Sequence, residues 1–374
     1  MTYQVFTSVS DCADLWNKFL PEDHYLNAFN CNVIEESQLE NVAFRYVLIL
    51  NDTQEVAGIA YFQLLHFLAP HYNYPLAKNY LLRKIEGAIM KKGFYILVCG
   101  NMLHVDSPGL FYNPQLINAT LVLEQLERFY KALNPQPHAV LIKDWYEPEN
   151  IRWVKEFSYE PWSDDLTMKM FLPPAWKNFN DYVKNLRHHY AQRVRKARKN
   201  FFPIVRRELL LSDIRDFSIA LEQLYLEVVK RQALRLIIVN SNYFVEMKKV
   251  FQNDFRVFGY FLEDELIGFS SNIISGNLWE LHYIGMRYQF NKKHWLYFNM
   301  MFDAISNAIA EGKSELELGR TAREAKAVLG GIPVYFKNYV KIQGIIPRLG
   351  VKFLKQNFLD TAGKQWNEKK PFKA

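Results

Sequence analysis

Cysteine is scarce: Cys12, Cys31 and Cys99 are the only three in 374 residues. Their spacing forms no metal-ligand pattern, and three scattered thiols cannot make a paired framework, which fits a reducing compartment. Also missing are a glycine-rich P-loop, a Rossmann glycine fingerprint, a Gly-x-Ser-x-Gly elbow and a Cys-x-x-Cys pair. These absences argue against nucleotide hydrolysis, dinucleotide redox chemistry and serine hydrolysis. His188 and His189 are neighbours, but adjacent residues on a helix point about 100° apart. No third ligand stands at metal spacing, so no metal is expected. The longest apolar stretch, Val56 to Pro70, is interrupted by Gln63 and His66 and is too short to span a bilayer. The first residues lack a basic segment followed by an apolar core, so export by a signal peptide is not expected. The expected location is the cytoplasm, with peripheral contact to the inner face of the membrane.

What is present reads as one plan written twice. A hairpin runs from Arg45 to Phe62 with Gly58 early in its second strand, and its counterpart runs from Arg256 to Ser270 with Gly268 in the same place. Each is followed by a further strand (94–100; 278–285), a long amphipathic helix (114–133; 294–311) and a buried-type strand (139–145; 314–320). A repeat of this size implies two fused copies of one domain, and the length gives a prior of about two to three domains. Hydrophobic residues make up 49% of the chain, enough for two sizeable cores, and the 28 Phe and 22 Tyr read either as a generous core or as rings that also line a cleft or an apolar face. The expected fold class is α/β (α+β): two tandem mixed-sheet domains flanked by helices, with about six strands each. The expected division is 1–172 and 173–374, at the strand-stopping Pro173-Pro174.

The net charge of +7 favours anionic partners, and the cations cluster. Between Lys184 and Lys199, Leu186, Tyr190, Val194, Ala197 and Phe201 recur at helical spacing. The apolar stripe leaves Arg187, His188, Arg195, Arg198 and Lys199 on the other side. One reading is a solvated charge run. The other is a helix that binds phosphate through Arg forks and faces a cleft between the domains.

The duplicated sheets, the basic helix Lys184-x-x-Arg187…Arg193-x-x-Lys196-x-x-Lys199 and the run Glu317-Leu-Gly-Arg-Thr-Ala…Lys326…Gly330-Gly-Ile-Pro333 resemble the tandem proteins of the GNAT superfamily of N-acyltransferases. The group that includes the Fem peptidoglycan aminoacyl transferases is the most similar. The resemblance implies two GNAT-like domains and transfer of an acyl or aminoacyl unit from a carrier to an amine. It implies no permanently bound cofactor, with acyl-CoA or an acylated carrier protein (acyl-ACP) as donor substrate. One stretch departs from it. Single-domain members cradle the coenzyme A pyrophosphate with Arg-x-x-Gly-x-Gly/Ala, whereas the matching Arg287-Tyr-Gln-Phe-Asn-Lys292-Lys293-His keeps the Arg and loses both small residues. Arg287, Lys292 and Lys293, with the cations of the basic helix, are then the residues left to meet the donor's phosphates.

Acyl transfer to an amine requires a base for the ammonium proton and donors for the oxyanion. Period-two alternation along 278–285 places Glu280 and His282 on one face, where the carboxylate would orient the imidazole as base. A structural hydrogen-bonded pair is the competing reading. Tyr283, expected on the opposite face, is a candidate acid for the leaving thiolate, or simply core. Glu317 is anomalous inside a buried-type strand; either Arg320 and Lys326 are its counter-ions in a salt-bridge support, or Glu317 is the charge partner of the acceptor amine, with Arg320 and Lys326 as candidate substrate-binding residues.

The function expected is an N-acyltransferase joining an acyl thioester to the amine of an amphiphilic or lipid-type acceptor. The apolar segment from Ile345 with its interleaved lysines fits peripheral membrane contact. A Fem-like aminoacyl transferase using charged tRNA and a peptidoglycan precursor is the alternative; no long charged heptad region supports its helical arm, and nucleic acid is not an expected partner. A non-catalytic anion-binding module is the third reading.

Overall fold

The computed structural model describes residues 2–21, 24–68, 71, 91–146, 156–162, 165–232, 235–343 and 367–373. Alternating apolar runs broken by short turns give two hairpins. In the first, β2 (Val42–Leu50) pairs antiparallel with β3 (Val56–Phe67), and in the second β10 (Phe255–Leu262) pairs with β11 (Glu265–Ser275). The next strand lies antiparallel to each hairpin: β4 (Phe94–Cys99) on β3 and β12 (Leu278–Met286) on β11. A helix then carries the chain over the sheet to a strand that pairs in parallel, β6 (Ala139–Ile142) on β4 and β13 (Glu315–Glu317) on β12. Parallel neighbours need such a crossover. The two helices are Ala119–Ala132, capped by the Asn118 side chain, and Leu296–Ala310. Each buries an apolar face on its own sheet, with Val122, Leu126 and Phe129 in one core and Met300, Met301 and Ile305 in the other. The duplicated order read from the sequence is thus the order of the fold.

The chain forms two compact units that are not consecutive in sequence. One comprises 1–165, 233–238 and 335–360; the other 166–232, 239–334 and 361–374. The first sheet runs β1 (Thr2–Phe6)-β2-β3-β4-β6-β15 (Asn338–Ile342)-β7 (Glu160–Trp162), with β5 (Leu110–Tyr112) on β3. The second runs β14 (Ile332–Tyr335)-β8 (Leu166–Phe171)-β13-β12-β11-β10-β9 (Ile204–Leu209). A cut at 172/173 therefore does not divide the sheets. β8 lies before it but pairs with β13, and β15 lies far beyond it but pairs with β6. Each sheet takes the strand beside its parallel pair from the other half of the chain. Among the described residues the sheets have eight and seven strands rather than six.

The basic segment is two helices, Phe179–Asn185 and His188–Asn200, because Leu186 and Arg187 are extended. Three further helices follow β9 or precede β10 in the second unit: Leu211–Asp216, Ser218–Val229 and Ser241–Phe251. The middle one crosses β12 so closely that a Cβ on Gly285 would stand 2.6 Å from the Tyr225 backbone nitrogen, which only glycine tolerates. The apolar segment from Ile345 lies outside the described residues. Among the described residues, no helix is long and apolar enough to cross a membrane.

Candidate active site

The second unit gathers its ionisable side chains where β12 loses its parallel neighbour. β13 accompanies β12 over Leu278, Trp279 and Glu280 only, whereas β12 runs on to Met286. At the last shared position Glu280 and Glu317 are register partners, so their carboxylates lie on one face. Both side chains are buried.

Glu280 Oε1 is 2.8 Å from His282 Nδ1, and His282 Nε2 is 2.7 Å from the Tyr243 hydroxyl. A carboxylate only accepts. Nδ1 therefore carries the proton toward Glu280, and Nε2 accepts from Tyr243 O–H. The tyrosine is fully buried, and burial holds its pKa well above the ordinary range, so it stays a donor. It is positioned by its own helix: the Asn240 side chain caps Ser241–Phe251 by accepting from the Tyr243 backbone N–H at 3.0 Å. Sequence reasoning missed Tyr243, which lies 39 residues from His282 on a separate helix. The Asn240 cap was the only local signal.

A β-bulge corrects the expected placement of Tyr283. Ser270 pairs with Ile284 and Asn272 with Leu281, so Ser271 alone faces both His282 and Tyr283. Ser271 Oγ serves the extra residue, accepting from Tyr283 N–H at 3.0 Å. Such a bulge disrupts strict alternation and re-aims side chains. The His282 and Tyr283 rings lie 4.2 Å apart, both packed against Tyr243, rather than on opposite faces. Burial holds the Tyr283 hydroxyl well above its usual pKa, which makes it a poor proton donor to a thiolate.

Glu317 Oε1 accepts from the Thr167 hydroxyl and, at 2.6 Å, from Gly319 N–H. Burial raises its pKa to about 7, against the pull of those two donors, and Glu280 adds to the rise. Lys326, on the helix Arg323–Leu329, is buried and depressed to about 7 by that burial, with Glu317 opposing the fall. A Cβ on Gly319 would lie 3.5 Å from the Lys326 Nζ. Lys326 and Glu317 thus feel one another's charge, though no direct ion pair joins them. Arg320 is half-buried just beyond, its carbonyl accepting from Arg323 Nε at 3.3 Å.

Three of the cations named for phosphate have partners within the fold. Arg198 is half-buried, paired with Asp303 at 2.7 Å, bonded to Asn299 and stacked over Phe179. Arg187 Nε donates to the Phe372 carbonyl at 3.0 Å. Arg287 pairs with Glu265 at 2.6 Å. Arg195, Lys199, Lys292 and Lys293 are exposed. Lys292 and Lys293 close the short helix Tyr288–His294 instead of opening one. That helix occupies the stretch where the resemblance would place a phosphate-cradling loop, with Phe290 and Lys292 at the positions of the loop's two small residues.

No described protein family and no curated protein matches the chain. Solved structures do. A tandem GNAT protein from the clavulanic acid biosynthesis pathway aligns over 92% of this chain and 99% of its own at 8% identity, with a TM-score of 0.52. The fold is that of the tandem GNAT proteins. FemX (10% identity, 96% of this chain and 100% of its own, TM-score 0.48) is also similar. So is the C-terminal domain of a putative lysylphosphatidylglycerol synthetase from Agrobacterium fabrum (7%, 93% and 97%, TM-score 0.49).

Proposed function

We propose that the second unit is an N-acyltransferase site that moves an acyl group from a thioester to an amine. The observation that carries the reading is the set of Glu280, His282 and Glu317 gathered at the end of the shared part of β12 and β13. Mutually perturbing titratable groups of this kind cost stability unless they are used.

In this reading the amine arrives as its ammonium and is held by the Glu317 carboxylate. The Glu280–His282 pair takes its proton. Both His282 nitrogens are occupied and its side chain is 2% exposed against 8% for Glu280, so the carboxylate receives the proton. His282, held by Tyr243, is the positioning residue that shares it. This reverses the roles expected from the sequence, where His282 was the base. The amine nitrogen then forms its bond to the thioester carbon. Backbone N–H groups of β12 past Glu280, on the edge that β13 no longer covers, supply donors for the oxyanion. Collapse breaks the C–S bond: the departing thiolate takes the proton back from Glu280, and the second proton of the attacking nitrogen passes to the Glu317 carboxylate that held the ammonium and from there to solvent, leaving a neutral amide and thiol. Tyr283 has no step. The fold supports the reading, and the replacement of both small residues of the pyrophosphate loop by Phe290 and Lys292 argues for a donor held through its acyl arm and exposed cations such as Lys292 and Lys293.

The test uses N-acetylcysteamine thioesters of several chain lengths, which need no phosphate site, with a panel of primary amines. Thiol release that depends on amine and falls roughly 10²- to 10⁴-fold in Glu280→Gln supports the proposal. Release that is independent of amine, or unchanged in the variant, refutes it.

A further inference from the structure

The stretch from Tyr182 to Arg207 contains nine Lys or Arg and no Asp or Glu. Five of these cations fall into two sets. Arg193 lies over the Phe298 ring at 4.8 Å, Arg198 pairs with Asp303, and Arg206 lies over Phe258 at 3.8 Å, so these three are built into the fold. On the opposite side of helix His188–Asn200, His188, Gln192, Arg195 and Lys199 recur every three or four positions and all are exposed, with Arg195 and Lys199 as the cations at its C-terminal end. The stripe ends in a tight turn whose Phe202 is 92% exposed, followed by exposed Pro203 and by Val205, 60% exposed, on edge strand β9. A lone exposed apolar residue needs no explanation. A nearly bare phenylalanine beside a valine at the end of a cationic stripe, in a stretch without carboxylates, combines the two chemistries of an anionic bilayer interface.

We propose that this turn is a membrane-docking surface: Phe202 and Val205 enter the acyl boundary of an anionic leaflet while Arg195 and Lys199 meet lipid phosphates. The lipid-type occupant is favoured over a polyanion because phosphate alone gives no reason to expose Phe202. The surface is separate from the Glu280–His282 site, and its test needs no turnover.

The full chain is sedimented with phosphatidylcholine vesicles and with vesicles in which roughly a third of the lipid is phosphatidylglycerol, near 0.1 M salt. Binding to the anionic vesicles only, weakened by added salt, is expected. Phe202→Ser should weaken it roughly ten- to hundredfold, the cost of keeping one large apolar side chain in water. Arg195→Glu with Lys199→Glu should weaken it at least as much. All three positions are exposed, so melting should be unchanged, and a variant that melts lower is replaced by Phe202→Gln or by Arg195→Gln with Lys199→Gln. Equal binding to both vesicle types, no binding to either, or full binding by Phe202→Ser overturns the proposal. Retention of single-stranded RNA that is insensitive to Phe202→Ser, without vesicle binding, overturns it in favour of a nucleic-acid surface.

Discussion

The two units bury charge at the same point of the same plan and resolve it in opposite ways. In the first, β4 and β6 stay paired to the end, and the Lys143 N–H extends the ladder by donating to the Cys99 carbonyl at 2.9 Å. Lys143 and Asp144, each about 1% exposed, then bond to one another as an opposite-charge pair. Asp144 also accepts from Ser107 N–H, and its own N–H donates to Asn338, whose amide reaches Asp165. It holds a left-handed φ of +55°, unusual for a non-glycine residue. In the second unit the parallel pair parts after three residues, and two like-charged carboxylates stand in register at the break with a histidine and a lysine nearby. A matched opposite-charge pair locks strands together. An unmatched cluster perturbs its own titration, and that is the property proton transfer requires.

The largest expected effect breaks the comparison at the second unit. Glu280→Gln keeps an acceptor for His282 Nδ1 and removes one of two adjacent buried negative charges. Turnover should fall roughly 10²- to 10⁴-fold with stability unchanged or higher, as read by initial rates and thermal melts. Next, Asp144→Asn in the first unit strands a buried ammonium, and denaturant titration should show a loss of about 3–5 kcal/mol. The turnover of the folded fraction should be retained.

A smaller effect concerns pH. Glu317 is raised in the folded chain from 4.5 to about 7, so its contribution to stability is complete below pH 4.5 and is lost as pH rises through about 7. Lys326 is depressed from 10.5 to about 7, so its contribution is complete above pH 10.5 and is lost as pH falls through about 7. Together they place a trough near neutrality. Glu317→Gln should flatten the acid limb and Lys326→Met the alkaline limb in urea titrations across that range. Smallest is Tyr243→Phe, which removes one hydrogen bond into His282. We expect a stability loss of about 1 kcal/mol and a turnover decrease of roughly tenfold, checked by melts and initial rates.

Much of the scaffold was legible because its signals are local. The alternation from Arg45 to Phe62 and from Arg256 to Ser270, the turns between the strands and the helical stripes over 114–133 and 294–311 all reflect periods within a few residues. Glu280, His282 and Glu317 were legible for the same reason, as polar residues in apolar strands. What escaped was non-local. The exchange of β8 and β15 between sheets is decided by pairings across 144 or more residues, such as Glu315 with Phe171 and Tyr339 with Ile142. The bulge that turns Tyr283 beside His282 depends on Ser271 across the strand. Arg198 looked like a free cation because Asp303, its partner, lies on another helix.

The most direct measurement compares Glu280→Gln with Asp144→Asn in one experiment, recording amine-dependent thiol release per folded molecule alongside thermal melting. The account predicts that Glu280→Gln melts like the wild type and turns over at least a hundredfold more slowly, whereas Asp144→Asn melts lower and its folded fraction turns over normally. If Asp144→Asn abolishes turnover without lowering the melt while Glu280→Gln remains active, the chemistry lies in the first unit and the central assignment is wrong.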